Sequence, residues 1–288
     1  MSRIQTYYRS GLLMVVLFIA SSCTERIDIE LGSTFQRLVV HGTVTTDSVR
    51  HQVNLSVSSD YFVNKPSPRI SKAVVELSFD DMTLLLSEHD TIPGLYETPY
   101  AFRGVEGTTY KLDISQVDAD QDGQYETYHA TSTMPGGTVL HSIELRYIAT
   151  PIFPGYQVAM YAIHLPEQRD WFGFKLWKNG FLLTDTLAKY SVMSDDLFDD
   201  GYFPGFPAGF LSDEDPRQAV HPGDTVTLEL NCIEQEYYDF VIDAQLEIMG
   251  NNPLFSGPSA NVSTNIDNGG LGVFTAYSIQ RASSILPQ

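Results

Sequence analysis

From residue 35 onward, apolar and polar residues alternate with a period of two over short runs. Residues 37–45 (RLVVHGTVT), 52–58 (QVNLSVS), 73–78 (AVVELS), 109–114 (TYKLDI) and 125–133 (YETYHATST) carry this alternation, and they are rich in β-branched and aromatic residues. The period places successive side chains on opposite faces of an extended strand, so each run can bury one face and wet the other. Turn-forming clusters separate the runs at residues 64–68, Asp80-Asp81, Pro93-Gly94, 104–107 and 118–123. Short strands at this spacing, with no helical period among them, predict a mainly β protein whose residues 34–136 form an immunoglobulin-like β-sandwich.

Met134-Pro135-Gly136-Gly137 breaks the pattern and predicts a boundary, with a second β-rich domain over residues 137–288. Residues 142–149, 156–165, 171–177 and 181–185 read as strands, the last two joined by Asn179-Gly180, a favoured two-residue hairpin turn. Trp171 and Trp177 fall on one strand face and read as core. A 3.6-residue period stands out near residues 232–249, where Tyr237, Val241, Ala244 and Ile248 form an apolar stripe. Asn231 with Glu234 fits a capping pattern at its start, and Gly250 with Pro253 closes this amphipathic helix. Residues 225–232 lead into the helix as a strand, and 271–279 read as the closing strand.

Residues 1–22 have a different character. Arg3 and Arg9 supply positive charge, residues 11–20 (GLLMVVLFIA) are apolar, and Ala20-Ser21-Ser22 are small residues ahead of Cys23. This is the order of parts in a secretory signal. The apolar run is too short for a bilayer core, which takes about 20 helical residues. The Ala-Ser-Ser-Cys junction resembles the bacterial lipobox, with Ala20 where leucine is commonest. That resemblance implies lipid acylation of Cys23 and removal of residues 1–22, leaving 23–33 as anchor and acidic linker. Several acyl chains anchor durably, because each buried methylene contributes about 0.8 kcal/mol.

Charge and cysteine content narrow the class further. The formal charge is −19, and losing Arg3 and Arg9 with the signal makes it more negative still. Nucleic-acid binding draws on lysine and arginine to release counterions, so this balance argues against it. It also argues against direct adhesion to anionic lipid, leaving the lipid on Cys23 to hold the membrane. Cys232 is the other cysteine of two; with Cys23 acylated, no disulfide forms and stability must come from a packed core. Cys232 itself reads as a buried hydrophobe at a strand end.

Candidate chemistry is sparse. The seven histidines form no His-Glu-x-x-His or other close pair, and no Gly-x-Ser-x-Gly elbow or phosphate-cradling glycine loop is visible. No catalytic residue is assigned. Asp118, Asp120 and Asp122 alternate ahead of Gly123, which is how a loop wraps hard oxygen ligands around Ca2+. Glu126 is the fourth candidate ligand, His129 stands where an EF-hand has glutamate, and a solvated acidic hairpin is the competing reading. Residues 191–215 have no strand period and too many prolines for a helix, so a loop is expected. Its Tyr202, Phe203, Phe206 and Phe210, flanked by acidic residues, form either a ligand or partner contact patch or a small satellite core.

Several spaced elements carry a family resemblance: residues 38–44 (LVVHGTV), 93–96 (PGLY), 107–112 (GTTYKL), 223–226 (GDTV) and above all 258–277 (PSANVSTNIDNGGLGVFTAY). Together they resemble the Bacteroidota outer-membrane lipoproteins grouped as domain of unknown function 4249, with Ser259 and Val273 departing from the commoner proline and aromatic. The resemblance implies an outer-membrane, cell-surface lipoprotein without established catalysis, accompanying a TonB-dependent receptor and serving nutrient uptake by capturing a ligand or covering the receptor. A structural or adhesive surface module is the alternative, and a hydrolase with an unrecognised site is the minor one.

Overall fold

β1 (Leu38–Thr45) forms where the first alternating run predicts it, with Leu38, Val40 and Val44 on its buried side. A computed structural model describes residues 36–58, 67–150, 153–164, 170–196, 201–249 and 262–287. After β1 come β2 (Gln52–Val57), β3 (Val74–Phe79), β4 (Met82–Leu85), β5 (Ser87–Glu88), β6 (Leu95–Glu97), β7 (Thr109–Val117) and β8 (Glu126–Thr133). The second half holds β9 (Val139–Ile148), β10 (Gly155–Ile163), β11 (Trp171–Lys178), β12 (Phe181–Leu182), β13 (Ser191–Ser194), β14 (Tyr202–Ser212) and β15 (Thr225–Ile233). Helix α1 (Gln235–Met249) and β16 (Leu271–Ile285) complete it. The protein is therefore mainly β, with several sheets and one α-helix among the described residues. No described helix is long and apolar enough to cross a membrane.

A nine-stranded sheet runs in the order β12-β11-β15-β16-β1-β2-β6-β5, with β13 pairing β11 off that path. Its joint is β16. Residues 271–277 of β16 run parallel to β1, and residues 278–285 run antiparallel to β15. One long strand thus lends its first half to one neighbour and its second half to the other. Close approach at the joint depends on Gly272, which has φ +90°. A Cβ there would lie 1.9 Å from the Val40 carbonyl oxygen.

Two smaller sheets, β4-β3-β7-β8 and β14-β10-β9, accompany the large one. Val40, Leu55, Val75, Leu77, Leu112 and Phe274 belong to one core, drawn from β1, β2 and β16 on one side and β3 and β7 on the other. Met160, Phe203 and Leu211 of β10 and β14 share the second core with Phe172, Leu228 and Leu230 of β11 and β15. The predicted boundary near residues 134–137 lies between β8 and β9, and the nine-stranded sheet passes across it through β16.

The other face of β11, β15 and β16 carries a polar network covered in part by α1. Glu229, 1% exposed, is held by Lys175 Nζ at 3.2 Å and Arg281 Nη2 at 2.7 Å. Arg281 also reaches both carboxylate oxygens of Asp47, at 2.9 and 2.6 Å. Asn231 donates to Glu229 and accepts from the Tyr190 hydroxyl, each at 3.1 Å. Every charge here has a partner, which is what lets a buried carboxylate persist.

Two local expectations are corrected. Residues 191–215 are not a loop, because β13 and β14 occupy most of them. β14 is an edge strand whose register against β10 shifts twice, so the missing N–H groups of Pro204 and Pro207 are tolerated without breaking the ladder. Asn231 does not cap α1. β15 continues through Ile233, the Asn231 side chain is spent on Tyr190 and Glu229, and the helix begins at Gln235.

Candidate functional site

The β7–β8 turn gathers three of the four proposed calcium ligands. One oxygen from each of Asp118, Asp120 and Asp122 lies within 4.8 Å of the others. Positive φ values at Gln121 and Gly123 fold the turn tightly enough for this. The carboxylates also brace the loop: Asp118 accepts from Gly123 N at 3.2 Å, and Asp122 accepts from Gln124 N at 2.7 Å. Glu126 faces elsewhere, accepting the Tyr128 hydroxyl at 2.7 Å. His129 pairs with Asp113 across the ladder. Calcium is expected to raise the melting temperature if the trio binds it, and Asp120→Asn/Asp122→Asn to abolish that rise; an unchanged melting temperature with calcium or chelator removes the idea.

The four aromatics of the expected patch lie on one strand but not on one face. Phe203 is fully buried in the second core, and Phe206 packs against that core. Tyr202 and Phe210 remain 43% and 38% exposed on the outer side. Tyr202 is paired with Ile163 and Phe210 with Gln157. On the same side, Arg146 and Tyr161 both bond the Glu144 carboxylate. The contact surface therefore keeps two of the four rings.

A cluster that spacing alone does not reveal forms where three strand ends meet. His164 follows β10, Asp170 precedes β11 and Asp195 follows β13, all buried. Backbone bonds fasten the ends together: Asp195 N donates to Asp170 O at 3.1 Å, and His164 N donates to Gly201 O at 3.0 Å. Asp195 Oδ2 stands 3.4 Å from His164 Nδ1. Burial first, and then the Asp195 charge, push the Asp170 carboxyl up to about 6 against the opposing pull of His164. Asp170 also borders an open pocket of about 450 Å³ at the start of α1, lined by Glu234, Glu236 and Asp239 among others.

Cys23 lies outside the described residues. Cys232 is buried at the end of β15, and burial pushes its thiol up to about 11, so it behaves as a packed apolar residue. No curated protein matches the chain. The family model described as "Domain of unknown function (DUF4249)" matches residues 24–283. With nearly the whole chain covered, from residue 24 into the two-sided strand β16, the protein belongs to the DUF4249 family.

Proposed function

We propose that this protein is a lipoprotein held at the outer membrane through Cys23, acting without catalysis as an accessory or ligand-capturing subunit of a TonB-dependent uptake receptor. The observation that carries this reading is the amino-terminal pattern of positive charge, short apolar run and small residues ahead of Cys23. About fourteen residues separate Cys23 from β1, and a fully extended chain of that length reaches at most about 50 Å. The outer face of β9, β10 and β14 supports a binding role, since Tyr202 stands exposed there beside Ile163 and Val139, and Phe210 is exposed farther along the same face, opposite Gln157. We also read the amino-terminal half as an immunoglobulin-like sandwich, on the strength of its two short-stranded sheets sharing one core.

Cys23→Ala tests the anchor. The variant is expected to leave the membrane fraction for the soluble one, whereas firm membrane retention would mean an uncleaved amino-terminal anchor. Cross-linking in intact cells tests the partner: a large β-barrel adduct that diminishes in Tyr202→Ala/Phe210→Ala supports the receptor, and a surface-exposed protein without such an adduct favours the adhesive alternative.

A further inference from the structure

We propose that His164, Asp170 and Asp195 form a binding site for one divalent transition-metal cation of the zinc class, reached from the acidic pocket at the start of α1. The three side chains are 3%, 7% and 6% exposed. One donor atom from each lies within 4.8 Å of the others. Ligands around tetrahedral zinc, with bonds of about 2.0–2.1 Å, stand about 3.3 Å apart. The His164 Nδ1 to Asp195 Oδ2 separation of 3.4 Å already matches that edge, and Asp170 brings its oxygen within 4.8 Å of the other two donors.

Neither ring nitrogen of His164 makes a hydrogen bond among the described residues, although both are buried. The 3.4 Å approach to Asp195 lacks the alignment of a bond. Buried ring nitrogens are ordinarily satisfied, and a metal–nitrogen bond satisfies one of them directly. The ring is also held in place: it lies 4.9 Å from the Phe203 ring and meets Phe172 edge-on at 6.4 Å. Aromatic walls of this kind fix an imidazole plane and keep water from its faces.

Charge points the same way. Two buried carboxylates beside a single imidazole are short of positive charge. A dication supplies it. The mixed donor set selects the cation: an imidazole nitrogen favours zinc and its neighbours over calcium and magnesium, which prefer all-oxygen shells. Glu234, Glu236 and Asp239 line the pocket that Asp170 borders, so the route inward attracts cations. Three protein donors leave a coordination position for water or a ligand group.

The test uses the full chain carrying Cys23→Ala, which removes a competing thiol, freed of metal by chelator dialysis. Zinc is titrated calorimetrically with excess calcium present, so that the Asp118–Asp122 turn does not contribute. One equivalent is expected to bind and to raise the melting temperature by roughly 5–10 °C at a hundredfold excess over Kd. His164→Gln and Asp195→Asn should each weaken binding at least about tenfold, and Asp120→Asn/Asp122→Asn should leave it unchanged. X-ray absorption of the zinc-loaded parent chain should show one imidazole with oxygen donors, a result that needs no variant to fold. Absence of one-to-one binding, an unchanged Kd in both site variants, or a spectrum without imidazole overturns the site.

Discussion

Arg281→Ala is expected to destabilise the protein by about 2 kcal/mol at neutral pH, below the range for breaking a fully buried ion pair because the Arg281 side chain is 41% exposed. The cost arises less from the lost attraction than from what remains. Glu229 would stay buried with Lys175 and Asn231 as its partners, and Asp47 would lose both bonds from the guanidinium. Glu229→Gln in the Arg281→Ala background should recover part of the loss, because a neutral amide tolerates burial better than a carboxylate that has lost one of its two cationic partners. Denaturant unfolding of the two single variants and the double variant reads out the coupling.

The same network sets a pH dependence. Burial pushes the Glu229 carboxyl up, but Lys175, the Asn231 bond and Arg281 outweigh it and hold it below the usual glutamate value. The Arg281 hydrogen bond likewise holds Asp47 low. A carboxyl lower in the folded than in the unfolded state stabilises above its unfolded value, and that contribution disappears as pH falls through the folded one. The network is therefore expected to be fully stabilising above about pH 5 and to weaken as acid is added. Arg281→Ala should flatten that part of the stability profile.

Gly272→Ala is expected to cost at least about 3 kcal/mol, combining a left-handed backbone with overpacking. The new methyl would meet the Val40 carbonyl oxygen at 1.9 Å and its carbon at 2.9 Å. These are backbone atoms of a buried strand, so nothing can swing aside. Relief requires β1 and β16 to part. Gly269→Ala is the control: its φ of +74° is similar, but the nearest atom is Arg37 Nη2 at 4.0 Å. It should lose only about 1 kcal/mol. Equal melting temperatures for the two variants would show that the clash is absorbed and that the β1–β16 contact is softer than drawn.

Much of the strand content was legible because alternation leaves a local trace. β1, β2, β3, β7 and β8 coincide closely with the runs that announce them, since each buries one face and wets the other. β14 left no such trace: its prolines and glycines imitate a loop, and the open edge that excuses them is a tertiary fact. Asn231 misled for a related reason, because a short polar residue three before glutamate satisfies a capping pattern whether or not its side chain is free. The cluster of His164, Asp170 and Asp195 was invisible in spacing, since its members follow or precede three different strands. The aromatic patch was half legible: the residue types were informative, but which rings face outward depends on strand register.

β16 has a consequence in time as well as in space. Arg37, just ahead of β1, bonds the carbonyl of Gly269, 232 residues away. An edge of β1 thus waits for a segment made more than two hundred residues later. Contacts between such distant residues slow folding, because the entropy of closing the intervening loop is lost before the pairing repays it. A chain emerging from its amino terminus can assemble the hairpins of β3, β4, β7 and β8 early, yet it cannot close its first sheet. Until β16 arrives, one flank of β1 is an unguarded template for other strands. The interval between making β1 and making β16 is therefore when this protein is most exposed to aggregation, and most dependent on whatever holds it unfolded.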